Sequence, residues 1–267
     1  MRSLSLFCFL TLAVLAVSPL QAQNSEMVQI SPPTMRRIEP PGRNASAEEL
    51  ETQGDELRVE KAYLDALDYY RAALLKRPNY APLYNKAGIV ELLMQRYKEA
   101  ARDFSHAIHA DHKYAEPVNN LGVVEYEAKK YSKAIKQYER AIRLRSDSGS
   151  FYANLGAAYF SKKEFELASD SYAKALQLDP DILERSSHNG ISAQLPSPED
   201  RARYDYIVAK LCALRGDNDR SLQHLKRAME EGYAGINDVY KDPGFSSLRT
   251  DARFAELMAS RPPAIPE

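Results

Sequence analysis

Three histidines stand at even spacing in His106-x-x-His109-x-x-His112, with Asp111 beside the third. On a helix, residues three apart share a face, so His106 and His109 could ligate one metal ion. The same side chains near a helix C-terminus complement the helix dipole without any metal, and no metal is assigned. Glu91 and Glu125 are a second candidate. Two half-buried carboxylates near one another raise a pKa and can do acid/base work. A tyrosine hydroxyl or a lysine beside each would make them structural instead. Motifs with stronger chemistry are missing from the sequence: it has no His-Glu-x-x-His, glycine-rich phosphate loop, Cys-x-x-Cys or Gly-x-Ser-x-Gly elbow. The reading is of a protein with no catalytic residue and no cofactor.

Composition narrows the partners. Of 267 residues, 36 are Lys or Arg and 37 are Asp or Glu, a net charge of −1. Dedicated nucleic-acid binders carry a large positive surplus, so no nucleic acid is expected. A mean hydropathy of −0.50 argues against a polytopic membrane protein. Residues 1–22 read as a secretory signal. Arg2 precedes an apolar run from Leu4 to Val17, Pro19 breaks it, and Leu20-Gln21-Ala22 offers a cleavage point. The run is shorter than the ~20 residues of a spanning helix. The expectation is a periplasmic or secreted protein, cleaved after Ala22, with no stable membrane insertion. Cleavage removes Cys8 and leaves Cys212 alone, so no internal disulfide forms. Residues 23–46, with Pro32-Pro33 and Pro40-Pro41, read as a disordered tether too poor in large apolar side chains to fold.

The elements that must position everything else follow a 34-residue period. Glycine falls at Gly54, Gly88, Gly122 and Gly156, each 34 after the last. Alanines keep the same register at Ala66, Ala100, Ala134 and Ala168, and again at Ala73, Ala107, Ala141 and Ala175. Between them stand Tyr70, Phe104, Tyr138 and Tyr172, and another aromatic opens each second half at Tyr63, Tyr97, Tyr131 and Phe165. This pattern resembles the tetratricopeptide (TPR) repeat. Residues 47–182 hold four copies without insertion: 47–80, 81–114, 115–148 and 149–182. The resemblance implies an all-α, right-handed TPR solenoid of antiparallel helix pairs, A and B. The glycine in helix A lets helix B come close, the alanines of helix B match it, and the aromatics fill the gaps. One copy cannot bury its apolar faces alone, so stacking supplies the core. Residues 183–197 read as a linker and 198–232 as a fifth, degenerate copy. There, Ala209 replaces the glycine, and Ser221 and Ala228 replace the alanines. Residues 233–267 resemble the closing segment of bacterial secreted TPR proteins, with Phe245, Leu248, Phe254 and Leu257 covering the open end of the stack.

The resemblance also implies a concave groove lined by repeat positions 5, 9 and 12 of the A helices. Its middle would be apolar, from Ile89, Leu92, Val123, Tyr126, Ala157 and Phe160, and flanked by amides from Asn85, Asn119 and Asn154. Such a groove suits a peptide, with apolar side chains on the stripe and its backbone on the amides. A basic clamp for a C-terminal carboxylate is disfavoured, because Arg58 is the one cation at those positions in copies one to four. The competing reading is that Leu92, Tyr126 and Phe160 simply pack between repeats. The expected function is a non-catalytic envelope scaffold holding a peptide segment of another protein. Self-association through the outer faces, giving a homo-oligomer, and an accessory role beside an enzyme are the alternatives.

Overall fold

The computed structural model describes residues 40–184 and 197–260. The signal at 1–22, most of the tether and the linker, and the last seven residues lie outside the described residues. The described chain is helical. Four helix pairs follow in sequence: α1 (Ala47–Val59) with α2 (Tyr63–Lys76), α3 (Ala81–Leu93) with α4 (Tyr97–Ala110), α5 (Ala115–Glu127) with α6 (Tyr131–Leu144), and α7 (Gly149–Ser161) with α8 (Phe165–Leu178). A fifth pair is α9 (Pro198–Leu214) with α10 (Asn218–Glu230). Three short 3₁₀ turns lead to α11 (Ala252–Ser260). Each of α1 to α8 packs on its chain neighbours, and α3, α5 and α7 also touch in succession, so the pairs stack as a solenoid. Among the described residues, no helix is long and apolar enough to cross a membrane.

The glycine register has a more specific cause than general closeness of helix B. A Cβ on Gly54, Gly88, Gly122 or Gly156 would sit 2.6 Å from a ring carbon of Tyr70, Phe104, Tyr138 or Tyr172. Each ring lies sixteen residues after its glycine and is at most 2% exposed. The aromatic thus stands flat on the bare helix backbone. The fifth pair changes both halves of this contact: Ala209 replaces the glycine and Leu225 replaces the ring, and both are fully buried. A methyl is accommodated because the partner has become narrower.

The turn inside each pair is also conserved in geometry. Lys61, Gln95, Lys129 and Lys163 have φ between 58° and 64°, and the equivalent Gly216 has φ 77°. The next amide reaches back across this left-handed residue, as in Lys130 N–H to Glu125 O at 2.9 Å and Asp217 N–H to Cys212 O at 2.9 Å. This is the Schellman closure, which satisfies carbonyls that the helix end leaves free.

α9 runs 17 residues against 13 in the other A helices. Ser197 caps it by accepting from Asp200 N–H, and Pro198 opens its first turn. α10 stops at Glu230, and Gly232 follows at φ 77°. The tail then folds back: Phe245, Leu248 and Phe254 are buried against Ala209, Ala213, Leu225 and Ala228, with Leu257 half-buried beside them. Lys210 pairs with Asp242 at 2.8 Å, and Arg249 donates to the carbonyls of Val239 and Asp242. Leu183, placed in the linker by the sequence reading, is buried with Tyr204 and Val208.

Candidate functional site: the A-helix face

The polar floor of the A-helix face is a ladder of side-chain amides. Asn154 Nδ2 donates to Asn119 Oδ1 at 3.0 Å, Asn119 Nδ2 to Asn120 Oδ1 at 3.2 Å, and Asn120 Nδ2 to Asn85 Oδ1 at 2.9 Å. Asn85 Nδ2 closes the series on the Tyr114 hydroxyl at 3.2 Å. The ladder crosses three repeats. Asn85 and Asn119 are 5% and 6% exposed, so they hold the stack rather than present open amides. The amide capacity left for a ligand sits on the half-buried Asn120 and Asn154, and the Asn154 side-chain oxygen Oδ1 accepts no hydrogen bond among the described residues.

The apolar positions separate into two groups. Ile89, Leu92, Val123 and Tyr126 are half-buried. Ile89 and Leu92 pack on Ala100, Phe104 and Val124, and Val123 and Tyr126 on Tyr138 and Ala158. Tyr126 also bonds the Ser161 hydroxyl at 2.9 Å, so it ties the third repeat to the fourth. Burial pushes its phenol above the ordinary tyrosine range. Ala157 and Phe160 do not line an open groove. They are 4% and 1% exposed, beneath Tyr204 and Val208 of α9. Phe160 meets Tyr204 edge-on at 6.2 Å. The fifth pair occupies this end of the face, so the competing core reading holds there.

The other end is charged. Lys86 reaches both Glu51 and Asp55 at 2.6 Å, and Asp55 also accepts from the Tyr70 hydroxyl at 2.7 Å. At the same repeat position Val123 and Ala157 replace the aspartate. The Tyr172 hydroxyl is accordingly buried without a partner among the described residues. The open part of the face is therefore the half-buried apolar strip of α3 and α5, bounded by Lys86 with its two acids on one side and Asn154 on the other.

The residues that suggested metal or acid/base chemistry have other uses. His106, His109 and His112 are all exposed. His106 stacks on Tyr84 at 5.2 Å and His109 meets His112 edge-on at 6.0 Å. No cluster of three metal-ligating side chains occurs among the described residues. Glu91 is 4% exposed, with Arg96 at 3.5 Å and Arg71 at 3.7 Å. Burial raises its carboxyl above the usual range, and the two guanidinium groups pull it back. Arg71 also forks onto the buried Asp103 at 2.6 and 2.8 Å. Glu125 has Lys130 at 3.7 Å. The two glutamates are thus served by separate cations. Cys212 is a buried small hydrophobe whose thiol burial pushes up to about 11.

Sequence reasoning missed one polar cluster. His224 of α10 is 3% exposed, with Nδ1 2.6 Å from Asp205 and Nε2 2.8 Å from Glu184. Each ring nitrogen thus faces a carboxylate, and the imidazole bridges Asp205 and Glu184. The cluster fastens residue 184, just past the fourth copy, to both helices of the fifth. A signal was available: the equivalent position holds polar Asp103, Gln137 and Ser171 in copies two to four.

Two family models match the chain, "TPR repeat" over residues 124–163 and "Tetratricopeptide repeat" over 150–182. Residues 124–182 thus match tetratricopeptide-repeat models, and the same helix-pair register continues on both sides of them. No curated protein matches the sequence. Among solved structures, the chain is similar to MamA, at 20% identity and TM-score 0.48, over 74% of this chain and 95% of MamA. It is similar to TTC0263, a thermophilic TPR protein of Thermus thermophilus, at 16% identity and TM-score 0.49, over 80% of this chain and all (100%) of that one. It is also similar to YrrB, titled a TPR protein with an unusual peptide-binding site, at 19% identity and TM-score 0.46, over 73% of this chain and 91% of YrrB.

Proposed function

We propose that this protein is a non-catalytic interaction scaffold that holds an extended peptide segment of a partner on the open strip of α3 and α5. The observation that carries the reading is the strip itself: Ile89, Leu92, Val123 and Tyr126 are apolar yet only half-buried, at A-helix positions where the first copy carries Asp55 and Arg58. Apolar side chains of the partner would cover the strip, and the Asn154 Oδ1 and the Asn120 side-chain amide would meet its backbone. The reading of residues 1–22 as a cleaved export signal places the scaffold in the periplasm or outside the cell. The partner is then another envelope or secreted protein.

The test is a pair of charge insertions, Ile89→Glu and Val123→Glu, with His109→Glu on the outer face as control. The proteins are purified from their own cells and the associated polypeptides compared by mass. A polypeptide lost from both strip variants and kept by the control, at unchanged melting temperature, supports the proposal. Equal retention by all three variants overturns it.

A further inference from the structure

The outward face of α6 carries a row of cations. Lys133, Lys136, Arg140 and Arg143 recur at spacings of three, four and three, which places them in one row along the helix. None of the four is paired with an acid among the described residues. The one acid on α6, Glu139, instead accepts from the Tyr159 hydroxyl at 3.2 Å. Lys129 extends the row into the preceding turn. The other B helices do not share it. The same register carries Asp65, Asp68, Ala72 and Leu75 on α2, and Leu167, Asp170, Lys174 and Gln177 on α8. α4 carries Glu99, Arg102, His106 and His109 there, so the register is acidic on α2 and mixed in sign on α4 and α8. Four like charges in a row repel one another unless an anion lies beside them.

The chain carries the complement. α1 lies at one end of the described stack, and Glu48, Glu49 and Glu56 on it and Glu60 just past its last residue are exposed. They span about 18 Å of helix against about 15 Å for Lys133 to Arg143, at 1.5 Å per residue. Four helices separate α1 from α6 in one stack, so the two rows meet only between molecules. We propose that the basic row of α6 docks the acidic row of α1 from a second copy of this chain. The two surfaces differ, so the contact is head-to-side and leaves a free surface of each kind, which allows open growth. A long anionic polymer or lipid surface fits less well: the whole chain has net charge −1, and acids flanking so short a row would be repelled.

The test uses the protein as isolated from its cells, weighed in solution by light scattering over a concentration series. Mass rising with concentration at low salt is expected. The apparent dissociation constant should rise at least about tenfold at ~1 M salt, where the screening length falls to ~3 Å. The double variants Lys136→Glu/Arg140→Glu and Glu48→Lys/Glu56→Lys should each be monomeric, with unchanged helical circular dichroism. Mixed together, they should form a complex, because each then offers the charge that the other lost. Four results overturn the proposal: a monomeric wild type at low salt, association insensitive to either double variant, no complex on mixing, or a monomer that instead sediments with phosphatidylserine vesicles. The groove variants Ile89→Glu and Val123→Glu should leave this association intact, which separates it from the peptide reading above.

Discussion

Gly122→Ala probes the contact that sets the repeat. The added Cβ would lie 2.6 and 2.7 Å from two ring carbons of Tyr138, which is 2% exposed. Carbon atoms rest at about 3.5–4.0 Å, so the ring must withdraw by about 1 Å into close-packed surroundings. Overpacking of this kind costs ~1–3 kcal/mol, and a 1 Å displacement of an enclosed ring belongs near the upper end. Alanine returns ~1 kcal/mol of helix propensity. The net expectation is a loss of about 2 kcal/mol, or about 4–8 °C in melting temperature for a domain of this size. The fifth pair supplies the rescue. With Ala209 facing Leu225, Gly122→Ala/Tyr138→Leu rebuilds that pairing in the third copy. Tyr138→Leu alone leaves unfilled volume and should lose ~2 kcal/mol. The double variant should lose at least ~1 kcal/mol less than the two single losses combined. Urea unfolding of the four proteins closes the cycle. A more stable Gly122→Ala, or strict additivity, would refute the reasoning.

Three further outcomes follow from the same geometry. Lys129→Gly at φ 58° relieves a left-handed residue and should raise the urea midpoint by roughly 0.5–1 kcal/mol equivalent, whereas Gly216→Val should lower it. His224→Phe leaves Asp205, 7% exposed, without its imidazole and should cost ~3 kcal/mol or more; selective loosening of residues 197–260 would show in amide exchange. Burial raises the Glu91 carboxyl above the ordinary range, so the folded protein binds this proton more tightly than the unfolded chain does. That contribution is full below the ordinary glutamate value of ~4.3 and is lost as pH rises through the raised one. Urea midpoints of wild type and Glu91→Gln should therefore diverge across that window, with wild type losing ground as pH rises.

Much of the stack was legible because a 34-residue period is a local signal repeated four times. Gly54, Gly88, Gly122 and Gly156 marked the helix that cannot carry a side chain, but not what lies on it. The sequence reading matched the glycine with alanines of helix B, whereas the structure puts the ring sixteen residues on against it. The candidate groove was legible as a face but not in extent. Position 12 holds Leu92, Tyr126 and Phe160, which look alike in sequence, and the longer α9 buries the last of them. Asn85 and Asn119 were read as open amides because their partners, Asn120 and Asn154, sit one repeat away on another helix. The His224 cluster joins residues 19 and 40 apart, a distance at which spacing carries no information.

The central claim is that a partner peptide lies on the strip of α3 and α5. Its most direct measurement is photocrosslinking in the native cell from a photoreactive residue at position 89, with position 109 on the outer face as control. Position 89 is preferable to 126 because Tyr126 holds Ser161 and the stack. The account predicts a discrete adduct from position 89, absent from position 109, that maps to one extended segment of another protein. Adducts from position 109 alone, or none from position 89, would contradict it.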